Sequence, residues 1–158
     1  EPLIHGGEST TIYRSGTPTV ALASSLALAL ELAVEQLPQH RDAVRKANDF
    51  LRAELSRYPK VHINSPENAI PQILNLSVQD VKGTVFQRAL DEKGVCVSVK
   101  SACSSDGMPS RAVFAVSRDR RNALSSWRIS LSHITTEEDL RGFLAAFDAC
   151  YRELTETH

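Results

Sequence analysis

The chain has 158 residues, 42% apolar and 23% charged, with a formal net charge of -1. That length suffices for one domain with its own core, and a near-neutral surface argues against nucleic acid or an anionic membrane as the main partner. Three widely spaced cysteines with no C-x-x-C pair give neither a disulfide framework nor a zinc motif, so a reducing, cytoplasmic compartment is expected.

The chain starts at Glu1-Pro2 without a basic leader or cleavage signal, and we expect a piece of a longer protein. Residues 1–17 are rich in Gly, Ser and Thr and read as an arm without a core. Pro18 suits a helix start, and a helix over residues 19–36 follows, closed by Pro38. Its alanine-rich residues 19–34 are interrupted by Ser24, Ser25 and Glu31, which predicts a buried helix rather than a bilayer span. A second helix is predicted over residues 39–58, with Val44, Ala47, Leu51, Leu55 and Tyr58 as its apolar stripe.

After Pro59 the period changes. Val61-His62-Ile63 and residues 72–78 alternate as strands do, with Ile73 on one face and Leu74, Leu76 and Val78 on the other. A short helix over 83–93 turns Val85, Phe86, Ala89 and Leu90 inward and stops at Gly94. Residues 95–99 read as a third strand, with Cys96 packed, and residues 109–116 as one or two helical turns. In Trp127-Arg128-Ile129-Ser130-Leu131-Ser132 the apolar residues share one face and Arg128, Ser130 and Ser132 the other. Thr135 and Glu138 have capping-box spacing before a last helix with Leu140, Phe143, Leu144, Phe147, Tyr151 and Leu154 on its buried stripe. Cys150 reads as a small hydrophobe in that helix. The predicted class is α+β: a small antiparallel or mixed sheet with helices packed on it.

Three places can carry chemistry. Cys103 sits in the small polar run Lys100-Ser101-Ala102-Cys103-Ser104-Ser105-Asp106-Gly107, which suits an accessible nucleophile and equally a free surface thiol in a turn. Arg128, on the polar face of its strand, suits either a carboxylate ligand or a surface ion pair. The turns His5-Gly6-Gly7 and Arg14-Ser15-Gly16-Thr17 allow backbone to approach an anion, or are plain turns and caps. The histidines show no metal-ligand spacing.

Taken in order, these segments resemble the C-terminal part of cysteine desulfurases, pyridoxal-phosphate enzymes of fold type I in the class V aminotransferase family. Ile4-His5-Gly6-Gly7 with Arg14-Ser15-Gly16-Thr17 resembles the family's HGGGQE…RSGT arm, and residues 72–77 resemble its ILNVS strand. Residues 99–105 resemble the SGSACSS loop, Pro109-Ser110 and Trp127-Arg128-Ile129-Ser130-Leu131 the PS and IRFSLG elements, and Thr135-Thr136-Glu137-Glu138 the TTEEE helix start.

The resemblance implies residue roles. Cys103 takes sulfur from L-cysteine as a persulfide and releases L-alanine, and Arg128 holds the substrate carboxylate. Thr17 and His5 are cofactor-binding, with Thr17 reaching the phosphate in the neighbouring subunit of a homodimer. The sulfur then passes to an acceptor or scaffold protein, as in iron–sulfur cluster assembly. Glu8-Ser9-Thr10, Lys100 and Ser132-His133 depart from the family pattern.

The family's Schiff-base lysine lies upstream of the arm, and Lys46, Lys60, Lys82, Lys93 and Lys100 match no such motif. The expectation is therefore residues 1–17 as an arm at the junction with a large domain and residues 18–158 as the small domain. Pyridoxal phosphate is expected in the full-length enzyme, with no cofactor binding or catalysis by this chain alone. The alternatives are another class V aminotransferase, a selenocysteine lyase, or a standalone thiol-bearing interaction domain.

Overall fold

Three antiparallel strands organise the fold: β1 (Val61–Ile63), β2 (Ile73–Val78) and β3 (Ser126–Ser130), in the order β1-β2-β3. They appear in a computed structural model that describes residues 1–7, 13–99 and 108–156. The helices are α1 (Val20–Leu55), α2 (Gly83–Asp91), α3 (Arg111–Ser117), α4 (Arg120–Ser125) and α5 (Glu137–Thr155). Two compact units result, Glu1–Pro38 and Gln39–His158.

The register in the larger unit separates an apolar sheet face from a polar one. Leu76 faces Trp127 and Leu74 faces Ile129, while Asn75 faces Arg128 and Ser77 faces Ser126. Side chains alternate along each strand, so the apolar pairs all lie on one side. That side joins a core with Val44, Ala47, Leu51 and Leu55 of α1, Phe86 and Leu90 of α2, and Leu140, Phe143, Phe147, Cys150 and Tyr151 of α5. Within it Phe86 stacks on Trp127 at 5.2 Å between centroids, and Phe147 lies 5.2 Å from Phe86. Truncating one such buried aromatic typically costs about 3–5 kcal/mol.

The opposite face is closed by hydrogen bonds. Asn64 Nδ2 donates to Asn75 Oδ1 (2.9 Å) and Ser77 Oγ (2.8 Å), and Asn122 Nδ2 donates to Asn64 Oδ1 (2.7 Å). The Ser77 hydroxyl donates to the Asn122 carbonyl (3.0 Å), which ties α4 to β2. This is the expected α+β arrangement, with an antiparallel sheet.

Several expectations are corrected. The two predicted helices over 19–36 and 39–58 are one element, α1, with Pro38 inside it. Proline has no N–H to donate to the carbonyl of residue 34, and that carbonyl lies in an exposed turn, open to solvent. Residues 20–37 of α1 are exposed, not buried, because burial needs a facing surface and the described residues supply none here. Val85 is exposed, while Gly83 is buried in the first turn of α2.

Residues 95–99 form no extended strand. Only Ser98 pairs, in an isolated bridge to Arg128, and the Val97 carbonyl is taken by Gln87 Nε2 at 3.1 Å. Cys96 is accordingly exposed rather than packed. The second short helix, α4, was not predicted; its cap Asp119 accepts from the amides of Arg121 (2.8 Å) and Asn122 (3.2 Å). The capping box sits one residue later than predicted, because Thr136 and Asp139 make the reciprocal bonds. The Thr136 amide and hydroxyl hold the Asp139 carboxyl below its ordinary range.

Two glycines of opposite character test the packing. A Cβ on Gly83 would lie 2.5 Å from the Ser126 carbonyl oxygen, whereas one on Gly142 meets nothing within 4 Å. Gly83→Ala should destabilise by about 1–3 kcal/mol through overpacking, and Gly142→Ala should stabilise by up to about 1 kcal/mol. Urea unfolding of the two variants measures this; a neutral Gly83→Ala contradicts the close approach of α2 to β3.

Candidate functional site

The site is built outward from Arg128, whose direction follows from β3. Trp127 and Ile129 are buried on the apolar face, so the pleat turns Arg128 to the other. Its backbone is held from both edges: Asn75 of β2 is its register partner on one side, and Ser98 bridges it on the other. The Arg128 amide donates to the Ser98 carbonyl at 2.7 Å, and the Ser98 amide returns a bond to the Arg128 carbonyl at 3.1 Å. The chain that carries Ser98 leads two residues later into the Lys100 segment.

Arg128 lines a cavity of about 390 Å³ together with Cys96, Ser98, Thr135, Asp139 and Phe143. Its Nε is buried and has no hydrogen-bond partner among the described residues. Asp139 is not that partner, since one of its oxygens is engaged by the Thr136 amide (2.8 Å) and hydroxyl (2.7 Å). A half-buried guanidinium with an unmatched donor is a poor structural element but a good receptor for a carboxylate, which accepts two parallel bonds from its fork.

The other predicted residues fall as follows. Cys103 lies outside the described residues. His5 and Thr17 belong to the N-terminal unit, where residues 3–4 run beside residues 13–15. The Leu3 amide donates to the Tyr13 carbonyl (2.8 Å) and the Ser15 amide to the Ile4 carbonyl (3.1 Å). A Cβ at residue 6 would stand 2.5 Å from Ser15 Oγ, so a larger residue there would have to displace that hydroxyl. Arg14 Nη1 donates to the carbonyls of Gly16 (3.1 Å) and Thr17 (3.3 Å), wrapping a turn in which Gly16 has φ +97°. His5 and Thr17 thus share one arm, with both side chains exposed. Arg128 belongs to the other unit.

Sequence reading missed Ser98 as the clamp on Arg128, and missed the Asn64–Asn75–Ser77–Asn122 network beside it. The signal for the network was present, since Asn75 and Ser77 alternate onto the face opposite Leu74 and Leu76.

Residues 5–143 match the model of the aminotransferase class-V family. The chain is 34% identical to a cysteine desulfurase IscS of Dictyoglomus turgidum over 97% of its own length and 40% of that protein's. It is 30% identical to the IscS of Methanosarcina thermophila, over 89% and 35% respectively. Among solved structures, a NifS-like protein from Rickettsia africae superposes with TM-score 0.76 at 28% identity, over 96% of this chain and 40% of that one. Another NifS-like protein gives 0.79 at 32% identity, over 97% and 39%. The match covers most of the chain, and the chain belongs to the class V aminotransferase family. It spans about 40% of the length of the IscS protein from D. turgidum and less of the one from M. thermophila.

The described thiols differ in access. Cys150 is buried, and desolvation pushes its pKa up, while Cys96 is exposed. In a Cys103→Ala background, Cys96 should react with a disulfide reagent within the mixing time. Cys150 should react only as the chain unfolds. Equal native rates contradict this packing of α5.

Proposed function

We propose that this chain is the small-domain part of a cysteine desulfurase, with residues 1–17 as the arm at its junction with a larger domain. The observation that carries the reading is the unmatched Nε of Arg128, a residue whose backbone is clamped through Ser98 to the stretch of chain that runs into Cys103. The relatives' names supply the substrate class, L-cysteine.

The residues fit the rim of a pyridoxal-phosphate site rather than its centre. Thr17 offers a hydroxyl for the phosphate, with His5 on the same arm. None of the five lysines matches the family's Schiff-base motif, and Lys60 is spent on the Thr155 carbonyl at 3.0 Å. When bound in the full-length enzyme, pyridoxal phosphate supplies the electron sink for the substrate's reaction. Arg128 binds and orients the substrate through its carboxylate. The Cys103 thiolate attacks the substrate sulfur; the new S–S bond forms as the carbon–sulfur bond breaks, leaving a persulfide on Cys103 and, after protonation, alanine.

A homodimer with Thr17 at the neighbouring phosphate, a sulfur-accepting protein, and a reducing cytoplasmic setting complete the proposal. So do the absence of a nucleic-acid or membrane partner and a lack of activity in this chain alone. By length and composition α1 could cross a bilayer. The family match runs through it, which favours a covering of protein instead.

In the intact protein, Cys103→Ala should lower alanine formation from cysteine at least 100-fold while the cofactor absorbance is kept. Arg128→Lys, which keeps charge but loses the fork, should raise KM for cysteine by roughly 10–100-fold, with a smaller effect on kcat. A Cys103→Ala enzyme with unchanged rate overturns the assignment.

A further inference from the structure

A second cavity, of about 450 Å³, lies between the β1–β2 pair and the α3–α4 turn, and shares no lining residue with the Arg128 cavity. Every residue that lines it is polar, and the desulfurase chemistry uses none of them. Part of the wall is fixed in advance. Ser77 and Ser125 are buried, and Ser77 accepts from Asn64 Nδ2 (2.8 Å) while donating to the Asn122 carbonyl (3.0 Å).

Two opposite charges, Asp80 and Arg121, line this one cavity without pairing with each other. Neither side chain has an ion-pair or hydrogen-bond partner among the described residues. The remaining acid, Asp119, has one carboxylate oxygen on the amides of Arg121 (2.8 Å) and Asn122 (3.2 Å). No group of three His, Cys, Asp or Glu side chains among the described residues could hold a metal ion.

An anion entering this recess meets Asp80 and a cation meets Arg121, so a ligand with one charge is repelled by half of the site. A ligand that carries both charges is matched at both ends. The wholly polar wall offers nothing to a large apolar group. We propose that this cavity binds a small zwitterion, a free α-amino acid, with its carboxylate on Arg121 and its ammonium on Asp80, beside His62. The proposal stands without the desulfurase reading.

The test is NMR of the intact protein carrying ¹³C at histidine Cε1, with the His62 signal assigned by its loss in His62→Gln. The probe is sarcosine, a zwitterion whose secondary amine forms no neutral imine with an aldehyde cofactor. Sarcosine should shift the His62 signal saturably, with a Kd on the order of 1 mM. Asp80→Asn and Arg121→Gln should each weaken binding by roughly tenfold or more, and Arg128→Lys should leave it unchanged. Acetate and methylammonium, which carry one charge each, should bind roughly tenfold or more weakly than sarcosine.

These changes spare the fold. Asn tolerates the left-handed backbone of Asp80 (φ 65°), Arg121 is exposed, and unchanged signals from the stacked His40 and His133 check each variant. On the unaltered protein the one-charge probes decide without any variant. A His62 signal that stays fixed up to about 50 mM sarcosine overturns the proposal. Binding that survives Asp80→Asn and Arg121→Gln, or that falls with Arg128→Lys, places the ligand elsewhere and overturns it too. So does acetate or methylammonium binding as tightly as sarcosine, which would make the cavity a site for a simple ion.

Discussion

Trp127 and Arg128 cannot be placed independently, because successive side chains of a strand leave on opposite faces. The stack of Trp127 on Phe86, backed by Phe143 and Phe147, fixes the roll of β3 about its own axis. Fixing that roll puts Arg128 on the polar side, opposite Asn75 and beside Ser98. A one-residue slip would bury the guanidinium among aromatics and expose the indole, a loss on both counts. Core packing on one side of the sheet therefore aims Arg128, the one arginine in the described strands, to the other.

The polar face is held differently. Its Asn64, Asn75, Ser77 and Asn122 side chains satisfy one another, so the sheet tolerates a second face without apolar cover. Arg128 Nε stands outside this satisfaction. Trp127 Nε1, on the apolar face, likewise has no partner among the described residues, but Arg128 Nε is the cationic one of the two.

Much of this was legible in the residues. Alternation in β2 and β3 predicts both faces, and the spacing of Val44, Ala47, Leu51 and Leu55 predicts the buried stripe of α1. Errors arose where a local rule met a competing condition. Pro38 reads as a stop, but a proline in a solvated turn leaves a carbonyl that water can serve. Residues 95–99 read as a strand by composition, yet the Gln87 side chain takes the carbonyl of Val97 and leaves a single bridge. Thr135 and Thr136 both suit a cap, and the choice falls to Thr136 because Asp139 stands three residues on. The exposed first half of α1 is a different case. A helix apolar on all sides calls for burial, and the surface that would provide it is not among the described residues.

Of the candidate residues, Arg128 could be checked against geometry, His5 and Thr17 share one arm, and Cys103 lies outside the described residues. The central claim is that Cys103 carries sulfur taken from cysteine. Mass spectrometry of the intact protein after brief incubation with L-cysteine tests it most directly, with peptide mapping under non-reducing conditions. The account predicts one added sulfur atom on the peptide that holds Cys103, removable by a thiol reductant and absent in Cys103→Ala. Sulfur on Cys96 instead, or alanine formed with no modified Cys103, would contradict it.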